Sequence, residues 1–134
     1  MGKLGHAKSF RDLDVYQKSK SVAKTIFEVT KSFPREEMYS LTDQVRRSSR
    51  SIGAQIAEAW AKRRYEKHFI SKLTDADGEQ QETQHWIDTA EDCGYLEGDQ
   101  AIKLNVALSE IGSMLNSMIN KADLFCRKYS SDDD

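Results

Sequence analysis

Proline occurs once in 134 residues, glycine seven times and cysteine twice. So little turn chemistry excludes a many-stranded sandwich or barrel, whose many tight connections depend on such residues. Two cysteines with no export signal before them point to reduced thiols in the cytosol. No uncharged apolar run approaches the ~20 residues of a membrane helix, and no short apolar segment follows the N-terminus as it does in a signal peptide. A large net charge is absent too: 20 Lys+Arg stand against 22 Asp+Glu, a formal −2. With 38% hydrophobic residues, that balance does not describe a disordered chain. What remains is one soluble, helix-rich domain with a cytoplasmic location, since a single domain commonly spans about 100–150 residues.

The charge that is present is unevenly placed. Residues 1–67 hold 15 Lys+Arg and 8 Asp+Glu, a net of +7, whereas residues 68–134 hold 5 and 14, a net of −9. Such asymmetry fits a polyanion-binding surface, an interaction tail or head-to-tail self-association. It fits equally helices of one bundle that complement each other, because charge speaks to association and not to fold.

Hydrophobic spacing predicts four helices. Ser9-Phe10-Arg11-Asp12 is a Ser-x-x-acid helix start, followed by Leu13, Tyr16, Val22, Ala23, Ile26, Phe27 and Val29 on one face. Pro34 ends that helix, since proline disfavours helix in the residue before it. A second helix runs from about Glu36 to Ala61 with the stripe Leu41, Val45, Ser48, Ile52, Ile56 and Ala59 or Trp60. Its small residues, among them Ser48, Ser49, Gly53, Ala54 and Ala57, suit either a second contact face between copies or tight packing within one bundle. A third carries Phe69, Leu73, Ala76, Thr83, Ile87 and Ala90 and ends at Cys93-Gly94, where glycine fits a left-handed cap. Gly78 reads as a close-packing point inside it. A fourth starts near Glu97 to Asp99 and carries Ile102, Leu104, Leu108, Ile111, Leu115, Met118, Ile119, Ala122 and Phe125 without interruption. The expected architecture is an all-α, up-down-up-down antiparallel four-helix bundle over residues 10–129. It lies between a flexible N-terminus, 1–9, and a disordered acidic tail, 130–134.

Sites of chemistry are scarce. Glu82-Thr83-Gln84-His85 is a Glu-x-x-His, the half-motif that di-iron bundles use twice, but it occurs once and neither His6 nor His68 supplies the second. Asp75-Ala76-Asp77-Gly78 hints at a calcium loop, yet with Gly78 sixth the first and twelfth positions are Leu73 and Gln84 instead of carboxylates. Cys93 and Cys126 stand at helix C-terminal ends, where the dipole disfavours a thiolate. No Gly-x-Ser-x-Gly elbow or phosphate loop is present. The reading is no enzyme, no metal and no cofactor. The candidate that remains is a polyanion surface. Arg46, Arg47 and Arg50 lie within about one turn, on the side of the second helix away from Ile52 and Ile56, and Lys62, Arg63, Arg64 and Lys67 follow with Tyr65 among them. Arginine forks match phosphate geometry, and a tyrosine can stack on a base. Solvated arginines, or pairing with acids of the third and fourth helices, is the alternative use of the same residues.

Several segments, in order, resemble one family. Phe10-Arg11-Asp12-Leu13-Asp14-Val15-Tyr16-Gln17-Lys18 and Phe33-Pro34-Arg35-Glu36-Glu37-Met38-Tyr39-Ser40-Leu41-Thr42-Asp43-Gln44-Val45-Arg46-Arg47-Ser48 are similar to the 23S rRNA intervening-sequence proteins. Ser51-Ile52-Gly53-Ala54-Gln55-Ile56-Ala57-Glu58-Ala59 resembles that family's Ser-Ile-x-x-Asn-Ile-Ala-Glu-Gly, with Gln55 in place of Asn and Ala59 in place of Gly. Glu82-Thr83-Gln84-His85-Trp86-Ile87-Asp88 and Asp92-Cys93-Gly94-Tyr95-Leu96 are similar to one branch of it. The resemblance implies a bacterial four-helix bundle assembling into a homopentameric ring. A related branch, the accessory protein of diversity-generating retroelements, is a basic pentameric barrel that binds nucleic acid and a reverse transcriptase. The implied partners are therefore further copies of the chain, RNA or DNA, or another protein, with no membrane. The rivals to a nucleic-acid binder are a protein–protein scaffold and a ferritin-like metal-dependent oxidase.

Overall fold

The computed structural model describes the backbone of residues 7–132 and the side chains of residues 7–127. Four long helices and one short one make up the described chain: α1 (Asp14–Thr30), α2 (Leu41–Ala61), α3 (Glu66–Asp92), α4 (Gly98–Asn120) and α5 (Ala122–Asp132). No strand occurs among the described residues. Packing follows chain order, α1 on α2, α2 on α3 and α3 on α4, and α1 also meets α4. No helix is long and apolar enough to cross a membrane among the described residues.

The apolar stripes fill the interior. Val15, Val22 and Ile26 of α1 meet Leu41, Val45, Ile52, Ile56 and Ala59 of α2, with Phe69, Leu73, Ala76, Ile87 and Ala90 of α3 and Leu104, Leu108, Ile111 and Leu115 of α4 in the same core. Each large side chain buried this way contributes roughly 1.5–3 kcal/mol. The core carries one polar seam. Thr83 Oγ1 donates to Ser48 Oγ at 2.8 Å across the α2/α3 contact, with both residues fully buried. Gln80, almost as deeply buried, fills the turn of α3 between Ala76 and Thr83.

Four boundaries differ from the sequence reading, each for a local reason. Ser9 does form a capping box with Asp12, but it caps a 3₁₀ turn, Phe10–Asp12, and an extended Leu13 separates that turn from α1. Asp12 accepts from the backbone N–H of Lys8 (2.7 Å) and Ser9 (3.1 Å), and these bonds hold its carboxyl below the usual range. Glu36 and Glu37 likewise form a 3₁₀ turn, Arg35–Glu37, and α2 begins only at Leu41, because Ser40 leaves helical geometry (φ −128°, ψ −99°). The fourth helix is interrupted at Lys121 (φ −111°, ψ 24°), so Ala122 and Phe125 belong to α5. That helix continues to Asp132, and the tail expected from residue 130 is helical over its first three residues. No glycine or proline there stops the helix. Residues 1–6 of the expected flexible N-terminus, and residues 133 and 134 of the tail, lie outside the described residues.

Two glycines behave in opposite ways. The end of α3 is as the spacing predicts: Gly94 has φ 79°, its N–H donates to Glu91 O (2.9 Å), and that of Tyr95 donates to Ala90 O (2.9 Å), so Leu96 folds back into the core. Gly78, read as a packing point, is exposed, with nothing within 4 Å of where a Cβ would stand. Ile102 is the other misassigned position. It is 64% exposed, because the buried stripe of α4 runs Ala101, Leu104, Leu108, Ile111, Leu115, Met118 and leaves Ile102 on the outer face beside Val106 (54%).

Candidate nucleic-acid interface

The seven basic residues singled out by the sequence do not form one cluster. Arg46 and Arg50, one turn apart, lean toward α1. The Arg46 guanidinium lies 4.8 Å from the centre of the Phe27 ring, and its Nε donates to Thr30 Oγ1 at 2.8 Å. Arg50 lies 5.5 Å from the same ring. Lys31 approaches it from α1 at 4.9 Å and also pairs with Glu28 at 3.2 Å. Three cations thus surround one half-buried phenyl ring, whose negative faces offset part of their mutual repulsion.

Arg47 turns the other way, toward α3. Its guanidinium is hydrogen-bonded to Glu82 and lies 3.6 Å from Glu79. Glu82 also accepts from the Trp86 indole N–H at 3.0 Å. The Trp86 bond first, and the arginine second, hold the Glu82 carboxyl below its ordinary range against the opposing effect of burial. Glu82 in turn pushes the Arg47 guanidinium up. The carboxylate of the Glu-x-x-His half-motif is therefore engaged by Arg47 and Trp86, and His85 packs its ring edge-on to Trp86 at 4.7 Å. Among the described residues no three His, Cys, Asp or Glu side chains come together as a metal site would need.

Lys62, Arg63, Arg64 and Lys67 sit at the α2–α3 turn, about 18 Å along α2 from Arg50 at ~1.5 Å per residue. Lys62 caps α2 through its backbone N–H to Glu58 O and Ala59 O. Arg63 covers the Trp60 ring at 3.6 Å, with its Nε donating to Trp60 O at 2.8 Å. Arg64 and Lys67 are exposed, as are Tyr65 and His68, whose rings lie 5.5 Å apart. The seven residues divide into an α1-facing pair, an arginine held by α3, and a turn.

The α1-facing pair borders a groove that was not foreseen. A cleft of about 830 Å³ runs between α1 and α2. Its floor is small: Ser19, Ala23, Ser49, Gly53, Ala54 and Ala57. Gly53 is what lets the two helices close on each other, since a Cβ there would stand 3.2 Å from Ser19 Oγ and 3.3 Å from the Tyr16 ring. Phe10, Tyr16 and Phe27 are the aromatic lining residues, with Phe10 edge-on to Tyr16 at 4.8 Å. The basic ones are Lys20, Lys24 and Arg50. Among the described residues, Lys20, Lys24, Arg46 and Arg50 have no carboxylate partner in an ion pair. Lys20 and Lys24 were missed because α1 was read for its apolar face alone. The signal was present: Lys20, Lys24, Phe27 and Lys31 follow each other at steps of four, three and four, one continuous helix face.

Comparison with known proteins agrees with the fold. A family model described as 23S rRNA-intervening sequence protein matches residues 11–117. A crystal structure of a protein with unknown function from the S23 ribosomal protein family of Bacteroides thetaiotaomicron is similar, with a TM-score of 0.72 and 32% identity, covering 79% of this chain and 95% of that one. A comparison with curated proteins finds no match. With four packed helices, a family match over most of its length and a solved structure of similar fold, the chain belongs to the 23S rRNA-intervening sequence protein family.

Proposed function

We propose that the protein is a non-enzymatic, self-associating bundle that holds the phosphate backbone of RNA or DNA along the α1/α2 groove. The observation that carries this reading is the contrast among neighbouring arginines: Arg47 is paired with Glu79 and Glu82, while Arg46, Arg50, Lys20 and Lys24 have no acid beside them in an ion pair among the described residues. Unpaired cations lining a groove constitute an electrostatic footprint for a polyanion, and each phosphate they neutralise adds to the affinity. The sequence carries no recognised base-reading motif, so the expected binding depends on phosphate charge and is strongly sensitive to salt.

The short connections between helices favour the up-down-up-down arrangement. Self-association, as the homopentameric ring that the resemblance implies, multiplies the same groove and raises avidity without new contacts. The exposed Ile102–Val106 ridge of α4 supplies an apolar surface for such contacts. A cytoplasmic place suits a nucleic-acid ligand. The scaffold reading shares this ridge and differs only in needing no nucleic acid.

The test is fluorescence anisotropy of a labelled 20-nucleotide RNA at low and high salt, with the wild type and Lys20→Glu/Lys24→Glu. Both lysines are exposed, so the fold is not at stake. Binding that weakens steeply with salt and is lost in the variant supports the groove. Binding unchanged in the variant removes it, and no binding at any salt leaves the scaffold.

A further inference from the structure

The α1/α2 groove has two zones of different chemistry. Its rim is charged: Lys20, Lys24 and Arg50 line it and are exposed. Its floor is not. Among the described residues the floor carries nothing larger than serine, and Ala23, Ala54 and Ala57 present methyl groups there. The two floor hydroxyls are turned inward. Ser19 Oγ donates to Tyr16 O at 2.7 Å, and Ser49 Oγ donates to Arg46 O at 3.1 Å. Each has thus spent its one proton on its own helix. Rings close the two ends, Phe10 and Tyr16 at one and Phe27 at the other. Tyr16 and Phe27 are eleven residues apart on α1, about 16 Å at ~1.5 Å per residue. A phosphate is satisfied on the rim and gains nothing on the floor. A flat, weakly polar group attached to a phosphate gains from both, by covering methyl groups and rings that otherwise face water.

We propose that the occupant of the groove is an unpaired strand of RNA or DNA, its phosphates on Lys20, Lys24 and Arg50 and its bases seated on the floor between Tyr16 and Phe27. This rests on the polyanion reading above and adds the bases to it. The two zones separate the possible ligands. In a duplex the bases are paired and stacked inside, so phosphates reach the rim and the floor stays wet. An unpaired strand can turn its bases inward, onto rings and methyl groups, while its backbone follows the cations. Every base has a flat face, so seating of this kind tolerates any sequence. Salt acts on the rim contacts alone, because covering the floor releases no counter-ions.

The experiment is fluorescence anisotropy of the full chain with three labelled DNA probes of about 20 nucleotides: a strand of thymidines, an abasic strand of the same length, and a duplex. The thymidine and abasic strands carry the same phosphates and differ in bases alone. The thymidine strand should bind about tenfold tighter than the abasic one at equal salt, the equivalent of one stacked base. The variant is Ala54→Leu, which fills the floor and changes no charge. Ala54 is exposed and helical, and leucine suits a helix, so the fold is kept. The variant should bind the thymidine strand only as tightly as the abasic one. Its affinity for the abasic strand and for the duplex should stay within about twofold of the wild type. Equal affinity of the wild type for the thymidine and abasic strands overturns the seating of bases and leaves the phosphate reading standing. A thymidine advantage that survives Ala54→Leu places the bases elsewhere and overturns it too. So does a leucine that weakens all three probes alike, because rim and floor are then one zone. If no probe binds at any salt, the polyanion reading falls and this inference falls with it.

Discussion

Arg47 and Arg50 are three residues apart on α2, yet they live in different surroundings. Arg47 faces α3, where Glu79 and Glu82 meet it and Trp86 steadies Glu82 from behind. Arg50 faces α1, where it meets the ring of Phe27 and lines the same groove as Lys20 and Lys24. The helix that carries both residues says nothing about this. The difference is written in the helices opposite, acidic on one flank of α2 and basic on the other. An arginine on a bundle surface is a structural counter-ion or an external binding group according to its neighbour. A half-exposed ion pair such as Arg47–Glu82 contributes little to stability, typically up to ~1 kcal/mol, but it occupies the guanidinium.

The sharpest way to break the comparison is charge reversal on the two flanks. Lys24→Glu/Arg50→Glu should lower RNA affinity by about 100-fold at low salt, since two phosphate contacts are replaced by two repulsions. Arg47→Gln should leave RNA affinity within about twofold, because its charge is already paired, and should destabilise the fold by about 0.5–1 kcal/mol in urea unfolding. Equal loss of RNA affinity in both variants would erase the distinction between the flanks.

A second contrast lies beneath Arg47. The α2/α3 contact is partly polar inside, through the Thr83–Ser48 hydrogen bond, whereas the α1/α2 contact closes over Gly53. Thr83→Ala should cost about 1–3 kcal/mol, because it opens a small void and removes the donor to the buried Ser48 hydroxyl, which keeps only its longer bond to Val45 O. The double change Ser48→Ala/Thr83→Val removes both polar partners and should cost clearly less than the sum of the single changes. Denaturant unfolding of the cycle measures the coupling.

How much was legible before the structure follows from what periodicity can encode. The stripes of α2 and α3 were readable residue by residue: Leu41, Val45, Ser48, Ile52, Ile56 and Ala59 are buried, and so are Phe69, Leu73, Ala76, Thr83, Ile87 and Ala90. The Gly94 cap was readable because a left-handed residue needs glycine. The break at Lys121 was not, since no glycine or proline marks it and the apolar spacing runs through it unchanged. Of the candidate site, residue types were legible and partners were not. Arg46, Arg47 and Arg50 look alike in a list, and only the packing of α1 and α3 divides them. Gly78 shows the same limit. An interior glycine reads as a packing point, but here it faces solvent with no neighbour within 4 Å. Gly78→Ala should therefore stabilise the protein by up to about 1 kcal/mol, the helix-propensity difference alone, and thermal unfolding checks it. The same change at Gly112 should destabilise, because its Cβ would stand 2.8 Å from Gln80 Nε2 and displace the amide from Asp77.

The smallest expected effect separates Glu82, on the α3 flank, from the carboxylate that ties the two loops together. Glu37 accepts from Ser40 Oγ at 2.7 Å and from the Tyr95 hydroxyl at 2.9 Å, and these bonds, Ser40 first, hold its carboxyl below the ordinary carboxylate range. Glu82 is held down too, by Trp86 and Arg47. For both acids the folded chain favours the ionised form. Their contribution is present above the unfolded value near 4.5 and is lost as pH falls through the lower folded value. Tyr95 has the opposite sign. Its hydroxyl must keep its proton to donate, and Glu37 with burial pushes it from 10.0 up to about 12. Its contribution is full below pH 10 and fades as pH rises toward 12. Tyr95→Phe should flatten the alkaline fall in stability and reduce the acid one in part, since Glu37 keeps Ser40. Glu82→Gln should leave the alkaline fall intact and reduce only the acid one. Urea unfolding across this pH range distinguishes the two. An alkaline fall that survives Tyr95→Phe would mean that another group on the bundle carries it.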